Sequence, residues 1–165
     1  MEVEIIDNFL DSIDLKKVVE RVGNRHCQWE VQQSNADYDR VGQQFLYLDV
    51  SEEKYFNTYI FKQIKKHLDG EYKLERIYFN GQWSGREGRL HNDQCDRTVL
   101  FYVSEYQYGW GGFTEIMTST TEPTIIHPLK NRLLIFPGTI MHKGYSFSYQ
   151  SSPMRISLAF KLHTK

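Results

Sequence analysis

Thr98-Val99-Leu100-Phe101-Tyr102-Val103 is an unbroken run of apolar, β-branched and aromatic residues, and it reads as a buried strand. It is one of eight short strand-like runs downstream of Tyr72, at 74–79, 89–93, 98–103, 113–117, 124–127, 132–136, about 140–143 and 154–162. Turn residues separate them, as at Pro137-Gly138. Short strands at even spacing argue a β-sandwich or barrel.

Upstream the pattern is different. Residues 3–6 read as a short strand. Asp11 or Ser12 is placed to cap a helix whose apolar residues Ile13, Leu15, Val18, Val19 and Val22 recur at helical spacing, and Gly23-Asn24 stops it. Residues 28–33 and 43–50 read as a hairpin around the polar stretch Ser34–Gly42. Ser51 is placed as the N-cap of a second helix running through His67, with Tyr55, Tyr59, Phe61, Ile64 and Leu68 on its buried face. The expectation is a single domain over 1–165, mainly β with supporting α-helices: 1–70 give helical support and the hairpin, 71–165 the β core.

Composition narrows the function classes. Twenty Lys+Arg against 21 Asp+Glu give a net charge of −1, so the general electrostatic footprint of a nucleic-acid or anionic-membrane binder is missing. No apolar run is long enough to span a bilayer, and no secretory signal pattern opens the chain. Two cysteines, Cys27 and Cys95, are too few for a disulfide framework. A cytoplasmic location is expected. Aromatic residues make up 15% of the chain, including 11 Tyr and 10 Phe, which tilts the fold toward β.

The chemistry-bearing residues sit on the predicted strands. In Arg89-Leu90-His91-Asn92-Asp93, residues i and i+2 share a face, which projects His91 and Asp93 together. His142, after the Pro137-Gly138 turn, is the natural third ligand. Two histidines and one carboxylate form the set that holds Fe(II) in non-haem oxygenases. His-x-Asp alone is a weak signal, and a hydrogen-bonded structural histidine is its alternative. Arg155 and Ser157 share a strand face opposite Ile156, Leu158 and Phe160. An inward arginine is expensive unless an anion pairs with it, and the fork plus a hydroxyl suits a carboxylate. An ordinary salt bridge is the alternative there.

These residues resemble the Fe(II)- and 2-oxoglutarate-dependent dioxygenases, in particular their prolyl 4-hydroxylase-like branch. The matching elements are His91-Asn92-Asp93, residues 98–103, Gly111-Gly112-Phe113-Thr114, residues 128–132, Phe136-Pro137-Gly138, His142 and Arg155-Ile156-Ser157, in the family's order. The opening Ile5-Ile6-Asp7-Asn8-Phe9-Leu10 is also similar, whereas residues 25–50 match no motif. The resemblance implies a double-stranded β-helix, a cupin-like jelly roll of two four-stranded sheets with the metal between them. It implies His91, Asp93 and His142 as Fe(II) ligands. Arg155 would bind the distal carboxylate of the co-substrate 2-oxoglutarate, with Ser157 and Tyr102 in support. Tyr78 would hydrogen-bond the co-substrate and Thr114 line its pocket.

The implied reaction couples oxidative decarboxylation of 2-oxoglutarate by O2, giving succinate and CO2, to hydroxylation of a C–H bond. The branch favours a prolyl residue in a peptide or protein as substrate, and a free amino acid or other small molecule is the alternative. A jelly-roll binding module and a metal cupin without oxygenase activity are the competing readings. Tyr38 and Arg40, in the 34–42 stretch, and Trp110 are the candidate substrate contacts.

Overall fold

The computed structural model describes residues 3–33, 44–119, 122–148 and 154–165. Its described residues form ten strands, β1 (Glu4–Ile6), β2 (Glu30–Gln33), β3 (Gln44–Asp49), β4 (Tyr72–Gln82), β5 (Arg97–Tyr102), β6 (Thr114–Ile116), β7 (Thr124–Ile126), β8 (Leu133–Pro137), β9 (His142–Gly144) and β10 (Arg155–Thr164). A seven-stranded sheet has the order β1-β8-β5-β10-β4-β3-β2, and a smaller sheet the order β7-β6-β9. Every pairing is antiparallel.

Alternation along the strands divides the core in two. On β10, Leu158, Phe160 and Leu162 point to one face and pack with Ile77, Phe79, Val99, Phe101 and the helical residues Val18, Phe56, Ile60 and Ile64. Ala159 points to the other face, into a second cluster between the sheets with Tyr102, Ile116, Ile126, Leu134 and Phe136. Arg155, Ser157 and Lys161 follow Ala159 at even spacing on this inner face. The strand therefore presents apolar residues to the helices and polar ones to the gap between the sheets.

Helix α1 (Ser12–Gly23) is capped by Asp11, whose carboxylate accepts from the Ile13 and Asp14 amides. It is anchored by Asp14, which accepts hydroxyl hydrogen bonds from Tyr55 at 3.0 Å and Tyr59 at 2.8 Å. Arg21 grips the Glu53 carboxylate with Nη2 at 2.6 Å and Nε at 3.1 Å. The second helical region differs from its sequence expectation. It comprises wide π-type turns at Tyr55–Ile60, α2 (Phe61–Ile64) and a 3-10 turn at Lys65–His67. Ser51 does not cap it: the Ser51 hydroxyl accepts from the Ile77 amide at 2.9 Å and donates to the Ile77 carbonyl at 3.2 Å, tying this segment to β4.

The run 89–93 is likewise not a strand. Only His91 pairs, as an isolated bridge to His142. The amides of Gly88 and Asp93 instead donate to Gly144 and Gly138, so the segment lies along β9 without forming a regular ladder. It takes the place of a fourth strand beside the three of the smaller sheet.

Candidate active site

The His91–His142 bridge is what assembles the site. The His91 amide donates to the His142 carbonyl at 3.0 Å and the His142 amide to the His91 carbonyl at 2.7 Å, which sets the two imidazoles 4.4 Å apart. Asp93 lies between them, with Oδ1 3.5 Å from His91 Nε2 and Oδ2 3.3 Å from His142 Nε2. One donor atom from each of the three residues lies within 4.8 Å of the others, so they could grip one cation.

Each ring is oriented for that task. His91 Nδ1 meets the Arg89 carbonyl at 2.7 Å, and His142 Nδ1 meets the Ile140 carbonyl at 2.9 Å. A carbonyl only accepts, so Nδ1 carries the hydrogen; the neutral ring then keeps its Nε2 lone pair for a cation, and only the protonated ring donates from Nε2 to Asp93. Thr98, on β5, donates its hydroxyl to Asp93 Oδ2 at 2.6 Å. Lys161, on β10, makes an ion pair with the same oxygen. Burial pushes the Asp93 carboxyl up, but the bonds from His142 and His91 and the charge of Lys161 outweigh it, and its pKa lies well below the usual range. The bond to Asp93, working against burial, raises the pKa of His91. For Lys161, burial opposes the charge while Tyr78 and Asp93 favour it, and its pKa is raised.

His91, Asp93, His142 and Lys161 line a cavity of about 770 Å³, shared with Tyr78, Asn80, Gln82, Thr114, Gly144, Arg155 and Ser157. Arg155 is 3% exposed. Its Nε donates to the Gly112 carbonyl at 2.7 Å, Nη1 to Gln82 Oε1 at 2.6 Å and Nη2 to Thr114 Oγ1 at 2.9 Å. All three acceptors are neutral, and burial lowers its pKa. Gly112 holds φ +71°, and a Cβ there would meet the Phe147 ring at 2.3 Å. Only glycine lets the chain turn here and offer its carbonyl to the guanidinium. Thr114 Oγ1 also accepts from the Tyr102 hydroxyl at 2.7 Å, which leaves the threonine's own hydrogen free to donate into the cavity. Asn80 Oδ1 is buried without a hydrogen-bond partner among the described residues.

A cation and an anion, side by side, fit this arrangement. Two imidazoles and a carboxylate are a donor set for a divalent iron, and a buried guanidinium with only neutral partners calls for an anion.

The structure thus brings together most of the residues singled out by sequence: His91, Asp93, His142, Tyr78, Thr114, Arg155 and Ser157 all border the cavity. Tyr102 is behind the wall, reaching it through Thr114, with its ring 5.5 Å from the Arg155 guanidinium. Tyr78 stacks on Tyr47 at 5.0 Å. Trp110 is not brought to the cavity; it packs edge-on against Phe147 at 5.7 Å. Tyr38 and Arg40, and the rest of the 34–42 stretch, lie outside the described residues. Sequence reasoning passed over Thr98, Lys161, Gln82 and Asn80. Lys161 was within reach, since it continues the even spacing of Arg155 and Ser157.

No family model matches the chain, and no curated protein matches it. Solved structures do. A prolyl hydroxylase from Trichoplax adhaerens, in complex with a hypoxia inducible factor oxygen degradation domain peptide fragment, is 19% identical with a TM-score of 0.78, over 98% of this chain and 83% of that one. A 2OG-Fe(II) oxygenase family oxidoreductase from Burkholderia pseudomallei is 12% identical, TM-score 0.76, over 98% and 84%. A Pseudomonas putida prolyl-4-hydroxylase is 15% identical, TM-score 0.73, over 99% and 92%. At these identities the likeness shows the fold: the chain carries the jelly roll of the 2-oxoglutarate/Fe(II) oxygenases, and the resemblance to their prolyl hydroxylases holds at that level. The core differs in strand count from the expected four and four, because β1, β2 and β3 extend the larger sheet and residues 89–93 supply only a bridge. No helix among the described residues is long and apolar enough to cross a membrane.

Proposed function

We propose that the chain is an Fe(II)- and 2-oxoglutarate-dependent hydroxylase of prolyl residues in a peptide or protein. The observation that carries this reading is Arg155, a buried guanidinium without a carboxylate partner among the described residues, on the wall of the same cavity that His91, Asp93 and His142 border. A jelly-roll binding module or a simple metal cupin has no use for that charge.

In this reading His91 Nε2, Asp93 and His142 Nε2 would hold the iron, and the Thr98 hydroxyl fixes the Asp93 carboxylate through Oδ2. Arg155 holds the distal carboxylate of 2-oxoglutarate in its fork, with the Thr114 and Ser157 hydroxyls beside it. Tyr102 acts through Thr114, fixing that hydroxyl's direction. When bound, iron supplies the redox chemistry that couples decarboxylation of 2-oxoglutarate by O2 to C–H hydroxylation. The protein's part is to fix the two reactants against each other. Leu90 and Met141, 46% and 38% exposed, border the cavity next to His91 and His142; these two apolar side chains suit contact with a pyrrolidine ring. Likeness to prolyl hydroxylases supports the same substrate. The free thiols Cys27 and Cys95 support a reducing, cytoplasmic setting.

The test is incubation with Fe(II), O2 and 2-oxoglutarate and a panel of proline-containing peptides and free proline, reading succinate and product mass. Succinate formed together with a peptide one oxygen heavier at proline supports the proposal. Hydroxylation of free proline alone would move the substrate class to small molecules. Succinate no higher than in His142→Ala would refute the reaction.

A further inference from the structure

Lys161 is a second buried cation of the cavity, and the reaction outlined above gives it no role. It is 2% exposed on the inner face of β10, six residues beyond Arg155. Its ammonium pairs with Asp93 Oδ2, lies 3.5 Å from the Thr98 hydroxyl and 5.9 Å from the Tyr78 ring centre. Oδ2 is also the oxygen that lies 3.3 Å from His142 Nε2. A divalent cation gripped by His91, Asp93 and His142 would therefore sit within one carboxylate of a fixed positive charge.

The charges of this wall do not balance around a metal. Asp93 brings one negative charge, while the buried side chains of Arg155 and Lys161 bring two positive ones. A divalent cation adds two more, in a setting where like charges interact far more strongly than in water. A dicarboxylate supplies the missing negative charge.

Resting on the metal and co-substrate assignment above, we propose that Lys161 makes metal and 2-oxoglutarate binding interdependent: its charge opposes the cation until the dianion arrives. Thr98 already holds Asp93 Oδ2, so Lys161 is not needed to orient the carboxylate. Its distinct effect is on the coupling between two ligands. By linkage, each ligand must then strengthen the other by the same factor.

The test is Mn(II) binding, followed by the electron paramagnetic resonance of free Mn(II), with and without saturating 2-oxoglutarate, in wild type, Lys161→Met and Lys161→Arg. Direct chelation by the oxo acid is common to all three proteins, so the difference between them isolates the lysine. Lys161→Met should bind Mn(II) alone about tenfold more tightly than wild type, and its enhancement by 2-oxoglutarate should be smaller by about the same factor. Lys161→Arg, which keeps the charge, should restore the wild-type enhancement. Thermal unfolding verifies that each variant folds, and Lys161→Gln makes the same charge change should the methionine variant fail. An equal enhancement in wild type and the neutral variant, or weaker Mn(II) binding by the neutral variant alone, overturns the inference and leaves the metal assignment standing. Wild type that binds no Mn(II) under either condition overturns the assignment and the inference with it.

Discussion

Replacing Arg155 with methionine separates a ligand clamp from a structural cation. Its three hydrogen bonds end on the Gly112 carbonyl, Gln82 Oε1 and Thr114 Oγ1. Bonds to a charged group stabilise by about 1.5–3 kcal/mol each, and a charge buried without a counter-ion costs several kcal/mol. The two nearly cancel, so Arg155→Met should unfold within about 1 kcal/mol of wild type, a shift of roughly 2–4 °C. Breaking a buried structural ion pair would instead cost about 3–5 kcal/mol. Toward 2-oxoglutarate the loss is large, because truncating one partner of a buried charge pair costs about 2–5 kcal/mol. At about 3 kcal/mol, the 2-oxoglutarate requirement rises on the order of 150-fold. Arg155→Lys should recover only part, since one ammonium cannot reproduce the planar fork that Gly112, Gln82 and Thr114 hold. Thermal unfolding without ligand, paired with a titration of 2-oxoglutarate by its stabilisation of the Mn(II)-loaded protein, reads both quantities. A variant that loses several kcal/mol of fold stability while keeping wild-type 2-oxoglutarate affinity would show that the arginine is structural.

Three further substitutions probe the surroundings. Thr98→Val removes the 2.6 Å hydrogen bond to Asp93 Oδ2 and should weaken Mn(II) binding by about 10–100-fold; equal affinity would place the orientation of Asp93 elsewhere. A side chain at Gly144 would start 3.4 Å from Gln82 Oε1 and 3.5 Å from an Arg155 Nη. Gly144→Val should therefore raise the 2-oxoglutarate requirement at least tenfold while Mn(II) affinity stays within about twofold, as titrating each ligand separately would reveal. Asp14→Asn replaces the shared acceptor of Tyr55 and Tyr59 and should cost about 2 kcal/mol, lowering the melting temperature by roughly 4–8 °C. Burial works against the Asp14 charge, but bonds from Tyr59, Tyr55 and Lys17 outweigh it and lower the pKa. A depressed carboxylate stabilises above its unfolded pKa, and that contribution fades as pH falls through the folded value. The deficit of Asp14→Asn should accordingly be full at neutral pH and shrink in acid; a constant deficit would refute the assignment.

How far the sequence could be read depended on whether local pattern or tertiary contact decided each element. Strict alternation on β10 was legible because both faces are buried against different partners: Leu158 and Phe160 meet the helices, and Arg155 and Ser157 meet the cavity. The capping of α1 by Asp11 was legible for the same local reason. Residues 89–93 carry a strand-like pattern, yet they have only His142 opposite them, and the Asp93 amide turns to Gly138. His91 and Asp93 still converge, through that one bridge rather than through a shared strand face. Ser51 looked like a helix cap because serine commonly is one, and no local signal shows that Ile77, 26 residues away, takes its hydroxyl. Trp110 packs on Phe147 through a long-range contact that no sequence spacing reveals. The tautomers of His91 and His142 were also out of reach, because each depends on a carbonyl two residues away whose direction the backbone path sets.

The proposed function requires that His91, Asp93, His142 and Arg155 hold Fe(II) and 2-oxoglutarate together in one cavity. Anaerobic visible absorption tests it without knowledge of the substrate, because a 2-oxo acid bound through its keto group to Fe(II) gives a charge-transfer band that neither gives alone. Wild type should show the band at low millimolar 2-oxoglutarate, Asp93→Ala should lack it at any concentration, and Arg155→Met should regain it only at far higher 2-oxoglutarate. Wild type without the band, or Asp93→Ala with it, would show that these residues do not hold the two ligands together.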